Sequence, residues 1–304
     1  MTRLIESAFH LSLGDGSGWQ FAADQPNLWL IDKLAAIMEL DKCKYSGLPK
    51  LFFCKNGYTS RAIEEAVRAV PSKSLSLAHS DSWYCYDHKT LRTWVHNDIP
   101  DVVCEVKENK GSKIQFLNLW YSLQPIYQRS IGKAGLPLHA GLVELDGQGV
   151  ILAASGDTGK STCCSRLPAY WNPLCDDEVL VILDKQKKYR AHPFPTWSDY
   201  LWKHSRKTWD VQYSVPLSGI FFLEQSWIDE VVPLGGGRAA VLLSESASQI
   251  CQKFWRIADR KEQRQFRKKL FNNACEMAKQ IPTYRLRVSL RGKFWEKIEK
   301  VLDR

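Results

Sequence analysis

Apolar positions in the first part of the chain come in short bursts rather than long helical stripes. Runs at 28–31, 51–55, 83–86, 92–96 and 102–106 read as β-strands. Turn signals separate them: Gly14-Asp15-Gly16, Asn56-Gly57, Asn97-Asp98 and the stretch 109–111. A helix is predicted over 30–40, where Leu30, Leu34, Ile37 and Met38 share one face. A second is predicted over 114–130, with Leu117, Trp120, Tyr121 and Tyr127 in a broad apolar band and Pro125 placed to kink it. These elements predict a small α+β domain over residues 1–132, and no catalytic motif falls inside it.

The pattern changes near residue 136. Strand, strand, glycine loop, helix and strand follow at 138–145, 150–154, 154–162, 161–167 and 174–183. Further strands are predicted at 189–192, 216–224, 230–233 and 284–289, with helices at 239–255, 261–280 and 293–301. The second domain, 133–304, therefore reads as α/β, and the chain as a whole as α+β.

Composition narrows the class. At 44% hydrophobic over 304 residues the chain can build one large or two ordinary cores, and its twelve tryptophans read as packing by default. Nine cysteines, an odd number without a Cys-x-x-Cys pair, argue against a disulfide framework and a zinc ribbon. Free thiols suit a reducing compartment, so a cytoplasmic location is expected. The start carries Arg3 and Glu6 without a signal-like apolar run, and no stretch reaches membrane-spanning length, so no membrane partner is expected. The net charge of +9 comes without a recognisable nucleic-acid module, so nucleic acid is not expected either, and a homo-oligomer stays open.

The strongest chemical signal is Ala154-Ser155-Gly156-Asp157-Thr158-Gly159-Lys160-Ser161-Thr162. It fits the phosphate-loop pattern G-x-x-x-x-G-K-[ST], with Ala154 at the first glycine position. Gly156 and Gly159 permit backbone angles that turn N–H groups toward phosphate oxygens. A helix starting near Lys160 aims its positive end at the same place. Lys160 can reach β- and γ-phosphates, and the Ser161 hydroxyl can ligate Mg²⁺. These are the residues expected to hold ATP and Mg²⁺.

Asp176-Asp177-Glu178 opens an apolar run shortly after the loop. Neighbouring strand residues point to opposite faces, so Asp176 and Asp177 serve one site only if the backbone bends. One division puts Asp176 near an acceptor hydroxyl and Asp177 near magnesium. His139 precedes the loop on the adjoining strand and reads equally as a site residue or a satisfied core histidine.

These segments together resemble HPr kinase/phosphorylase. The resemblance rests on Leu138-His139-Ala140-Gly141, the loop Ala154–Thr162 and Leu174-Cys175-Asp176-Asp177, and covers about 136–290. It implies the P-loop domain shared with phosphoenolpyruvate carboxykinase, and an ATP- and Mg²⁺-dependent kinase for a protein serine. Carried over, Lys160 and Ser161 bind phosphate and metal, Asp176 acts at the serine hydroxyl, Asp177 binds metal or supports it, and His139 lines the site. Where that family has an E-x-R-G signature, this chain has Tyr189-Arg190-Ala191-His192-Pro193-Phe194-Pro195-Thr196-Trp197-Ser198. HPr is therefore not the expected acceptor. With Leu136-Pro137-Leu138-His139 and the segment 191–197, the chain looks closest to the kinase-like member of SynChlorMet-type peptide-modification cassettes. That resemblance implies a serine on a ribosomally made precursor peptide as acceptor. A nucleotide-binding scaffold that recruits the peptide without phosphoryl transfer, and a small-molecule kinase, remain the alternatives.

Two further clusters stay open. Trp197, Tyr200, Trp202 and Trp209, among Lys203, His204, Arg206 and Lys207, read as inward packing before a peptide groove or adenine contact. Arg256, Arg260, Lys261, Arg264, Arg267, Lys268 and Lys269 read as a solvated helix face opposite Phe266, Leu270, Ala274 and Met277, or as a dock for an acidic peptide.

Overall fold

A computed structural model of the chain describes residues 8–43, 47–68, 83–154, 158–203, 205–255 and 260–302. It is a mixed α/β protein with two mixed sheets. The chain divides into two compact units, one of 1–126 with 197–212, the other of 127–196 with 213–304.

In the first unit, β1 (Ala8–Ser12), β2 (Gly18–Ala23), β3 (Asp41–Lys42), β4 (Lys50–Lys55), β5 (Trp83–Asp87), β6 (Leu91–His96) and β7 (Val102–Val106) form a sheet ordered β3-β1-β2-β4-β7-β6-β5. The β2–β4 and β4–β7 pairs are parallel, and the other pairs are antiparallel. Parallel neighbours need a crossover, and α1 (Leu28–Met38) provides it between β2 and β4, while α2 (Thr59–Arg68) follows β4. The apolar run at 28–31 is thus the first turn of α1 rather than a strand. Leu30, Ile31, Leu34, Ala35, Ile37 and Met38 are buried at helical spacing. The β1–β2 hairpin lies outside the predicted strands although its turn is predicted. β2 is buried along its whole length and contains Gly18, Gln20, Ala22 and Ala23, so neither alternation nor β-propensity marks it.

The single helix expected over 114–130 is two, α3 (Ser112–Ser122) and α4 (Gln124–Gly132). Pro125 sits in the first turn of α4, where its missing N–H is not needed. The segment 197–212 completes the first unit's core. Trp197, Tyr200 and Trp209 are buried, the Tyr200 ring lies 4.9 Å from that of Phe116, and Trp209 N donates to Ile37 O at 2.9 Å. Trp202 is exposed, with Lys113 Nζ 4.0 Å above its ring. The inward-packing expectation holds for three of the four aromatics. His204 lies outside the described residues.

In the second unit, β8 (Leu136–Leu145) and β9 (Gln148–Ala153) make a hairpin. Its two turn residues, Asp146 and Gly147, have φ of 50° and 75°, as a two-residue turn between twisted strands requires. After α5 (Lys160–Arg166) come β10 (Asn172–Cys175), β11 (Glu178–Leu183) and β12 (Tyr189–Phe194). The single strand expected over 174–183 is therefore interrupted by a bend at Asp176 and Asp177. Beyond α6 (Trp197–Lys203), which belongs to the first unit, follow β13 (Val215–Gln225), β14 (Glu230–Pro233), α7 (Gly236–Trp255), α8 (Arg260–Gln280), β15 (Thr283–Val288) and α9 (Phe294–Val301). β8 pairs antiparallel with β9, β10 and β11, and β13 pairs parallel with both β9 and β15. With β11–β12 and β12–β13, the pairings close a circuit through β8, β11, β12, β13 and β9.

On α8, Leu270, Ala274 and Met277 are buried, and Arg260, Lys261, Arg264, Arg267, Lys268 and Lys269 are exposed. Arg256 lies outside the described residues. Asn273 interrupts the apolar stripe because its Nδ2 donates to Ile131 O at 2.9 Å and Gly135 O at 3.0 Å, clipping the turn before β8. None of the nine cysteines is in a disulfide. Among the described residues no helix is long and apolar enough to cross a membrane.

His88 gives the first unit a pH dependence. Its ring stacks on Tyr121 at 4.7 Å and its Nε2 meets Gln124 Oε1 at 2.9 Å. Burial pushes its pKa down to about 4, against the raising effect of the Gln124 hydrogen bond. An unfolded histidine titrates near ~6.5. Between these values the unfolded chain binds a proton that the native chain does not, so stability falls as pH falls through that window. Denaturant midpoints between pH 7 and pH 4 should drop more steeply in wild type than in His88→Gln. Parallel curves would show that His88 is not the group responsible.

Candidate functional site

Three features of β8 assemble the site. Opposite Ala153, the last residue of β9, stands Ala140. The glycine loop leaves the sheet directly after Ala153, so His139 lies at the loop's mouth. On the other side, Ala140 N donates to Asp177 O at 2.9 Å, bridging the bend between β10 and β11. Next comes Gly141. A Cβ there would lie 2.9 Å from Cys164 Sγ and 3.4 Å from Cys175 O. The missing side chain is what lets α5 sit directly on β8 beside the acid pair.

The result is a chain of polar contacts. Lys160, 7% exposed, places Nζ 2.9 Å from His139 Nε2 and 3.3 Å from Ala154 O. His139 Nδ1 is 3.0 Å from Asp177 Oδ1. An ammonium only donates and a carboxylate only accepts. A neutral His139 therefore carries its proton on Nδ1, donates to Asp177 and accepts from Lys160; this tautomer is assigned from the partners. Behind the ring, Ser246 Oγ on α7 donates to His139 O at 3.1 Å.

Asp176 turns elsewhere. Its Oδ1 accepts from Thr196 Oγ1 at 2.7 Å. The bend at these two residues gives the neighbouring carboxylates separate partners, as the sequence requires if both are to serve one site. Glu178, the third acid, is 3% exposed and accepts from Tyr127 OH at 2.8 Å. Burial and then the Glu178 charge push the Tyr127 phenol well above its usual pKa. Sequence reasoning missed Tyr127, Thr196 and Ser246 as supports. A carboxylate heading the apolar run 179–182 signals a need for a partner, but nothing in the sequence points to a tyrosine in α4.

Of the loop itself, Ser155, Gly156 and Asp157 lie outside the described residues. Gly159 has φ of 100°, and a Cβ there would meet nothing within 4 Å. This left-handed position opens onto unfilled space, which suits a phosphate cradle. Ser161 and Thr162 are exposed at the start of α5. That helix has only seven residues, so its dipole adds less than the sequence pattern suggests. Among the described residues no three His, Cys, Asp or Glu side chains form a metal cluster. Mg²⁺ commonly takes one or two carboxylates with phosphate oxygens and water, so Asp177 and Ser161 remain chemically suitable.

Two cavities flank the loop. One of about 740 Å³ opens beside Thr158, Gly159 and Thr162. The other, about 440 Å³, opens on Ala153 and Ala154 and is walled by Arg238, Glu245 and Gln249 of α7 with Glu224 and Arg285.

Residues 102–303, more than half of the chain, match the family model described as SynChlorMet cassette protein ScmC. No curated protein matches the sequence.

The tight contact at Gly141 yields a stability prediction. Gly141→Ala should lower the unfolding free energy by about 1–3 kcal/mol, the range for overpacking a filled core. Cys164→Ala should recover part of that loss in the double variant, measured by chemical denaturation. Strict additivity would mean that α5 does not rest on Gly141.

Proposed function

We propose that this chain, which belongs to the SynChlorMet cassette protein ScmC family, is an ATP- and Mg²⁺-dependent kinase for a serine hydroxyl on a ribosomally made precursor peptide. The observation that carries this reading is the Lys160–His139–Asp177 chain at the point where the glycine loop leaves β9. A P-loop lysine works by presenting its ammonium to β- and γ-phosphates. Here the ammonium is already turned back to the start of the loop by Ala154 O and His139.

When bound, Mg·ATP supplies the transferable phosphoryl group. In this reading Lys160 moves from His139 to phosphate, where a fixed cation stabilises charge developing in transfer. His139 stays oriented by Asp177. Asp176, steadied by Thr196, accepts or orients the acceptor proton. Asp177 and Ser161 hold the metal. The alternating charges of the 440 Å³ cavity, Arg238 and Arg285 against Glu224 and Glu245, suit a polypeptide segment better than a small apolar alcohol. The exposed basic face of α8 would speed encounter with an acidic peptide. Membership in a cassette family supports a substrate shared with neighbouring gene products.

Saturating Mg·ATP should stabilise the wild type by about 2.7 kcal/mol at a hundred times Kd, and Lys160→Met should remove most of that shift. Calorimetry that finds no binding at millimolar ATP would overturn the nucleotide reading, the scaffold alternative included.

Asp176→Asn should keep ATP affinity within a few-fold and slow transfer about 10²-fold or more. The assay is mass spectrometry of a serine-containing precursor peptide, taken from the neighbouring genes where one is encoded there, after incubation with enzyme, ATP and magnesium, and one phosphate on serine is the expected product. Binding without any transfer would favour the scaffold. Transfer to a small alcohol alone would favour the small-molecule kinase.

A further inference from the structure

The larger cavity holds an unusual side chain. Trp227, on the loop between β13 and β14, is 96% exposed, and Leu290, just after β15, is 86% exposed. A single exposed apolar residue is ordinary, whereas large apolar groups gathered in one exposed patch mark a binding site. Both line one cavity, just beyond the end where β13 and β15 pair at Gln225 and Val288.

The backbone beneath them is braced. Ser226 N donates to Val288 O at 3.0 Å, and Ser289 N donates to Asp229 Oδ1 at 2.6 Å. Arg166, on α5, donates to Ser289 O at 2.8 Å and Gly292 O at 2.5 Å. The Asp229 carboxylate lies in the space that a side chain on Gly292 would take, so the Trp227 loop packs closely on this turn. The backbone on either side of Trp227 is thus bonded to the end of β15 and the turn after it, and Arg166 ties that turn to the helix that begins with Lys160.

Thr158, Gly159 and Thr162 line the same cavity. A nucleoside triphosphate whose terminal phosphates lie at Lys160 would have its sugar and base within reach of this space. At about 740 Å³ the cavity is of the size that takes a small organic ligand. Base stacking on an aromatic ring is strong and needs no particular base.

From this we infer that the cavity is the nucleoside subsite, with the nucleobase stacked on Trp227 and packed against Leu290. The inference rests on the nucleotide reading above and adds the residues that recognise the base. It commits to a nucleobase rather than an aromatic side chain of the acceptor peptide.

The test compares Mg·ATP with magnesium tripolyphosphate, which has the phosphates and lacks the nucleoside. Binding of each to the full chain is measured by calorimetry, with tryptophan fluorescence alongside. Wild type should bind ATP more tightly than tripolyphosphate, and ATP should quench part of the emission. Trp227→Ala should raise Kd for ATP about tenfold or more and leave that for tripolyphosphate within about twofold. Trp227→Phe should restore most of the ATP affinity. Because Trp227 is almost fully exposed, the variants should fold as wild type does.

If wild type binds neither ligand, the nucleotide reading fails and takes this inference with it. If both bind and Trp227→Ala changes them equally or not at all, the subsite assignment alone is overturned. A variant that loses peptide affinity while keeping ATP affinity would also overturn it, in favour of a peptide side chain as occupant.

Discussion

The second unit is organised around a strand with partners on both edges. Residue 142 of β8 faces Ile151 of β9 on one side and Cys175 of β10 on the other. Further back, the partner becomes β11, beginning with Glu178 opposite His139. Between these pairings the neighbouring chain bends, and Ala140 bridges the bend by one hydrogen bond to Asp177. The positions of His139, the acid pair and the loop all follow from this exchange. Gly141 adds the vertical constraint, since a side chain there would press on Cys164, which packs α5 onto the sheet.

The polar chain built on this frame couples stability to chemistry. A buried lysine is costly to hold without acceptors, and Lys160 finds them in the loop's first carbonyl and an oriented imidazole. Asp177 fixes that imidazole, while Tyr127 satisfies Glu178 one residue on. The adjacent acids thus have different surroundings: Asp176 and Asp177 are half-buried beside the loop, and Glu178 belongs to the core. Neighbouring residues with separate environments can take separate roles.

Much of this unit was legible in the sequence because its signals are local. Asp146-Gly147 between two apolar runs marks the hairpin, and the glycine loop marks the step from strand to helix. The elements β13, β14, α7, α8, β15 and α9 follow strong periodicity and differ from expectation only at their ends. The failures have physical causes. β2 is buried on both faces and has no alternation to read. The bend at Asp176 and Asp177 answers to pairing with β8, far back along the chain, where Ala140 bonds to Asp177. Trp227 stands in a short loop whose support, Arg166, Ser289 and Gly292, is assembled from distant segments. Of the expected site, Lys160 of the loop lies together with His139 and Asp177, whereas the loop residues Ser155, Gly156 and Asp157 are outside the described residues.

The central claim is that Lys160 leaves His139 for phosphate when nucleotide binds. The most direct measurement is the ring-nitrogen NMR spectrum of His139, assigned by its loss in His139→Gln, recorded with and without Mg·ATP. The account predicts that Nε2, released from the ammonium, shifts on binding, while Nδ1 keeps the signature of a protonated nitrogen bonded to Asp177. A spectrum in which ATP binds and both nitrogens stay unchanged would contradict it.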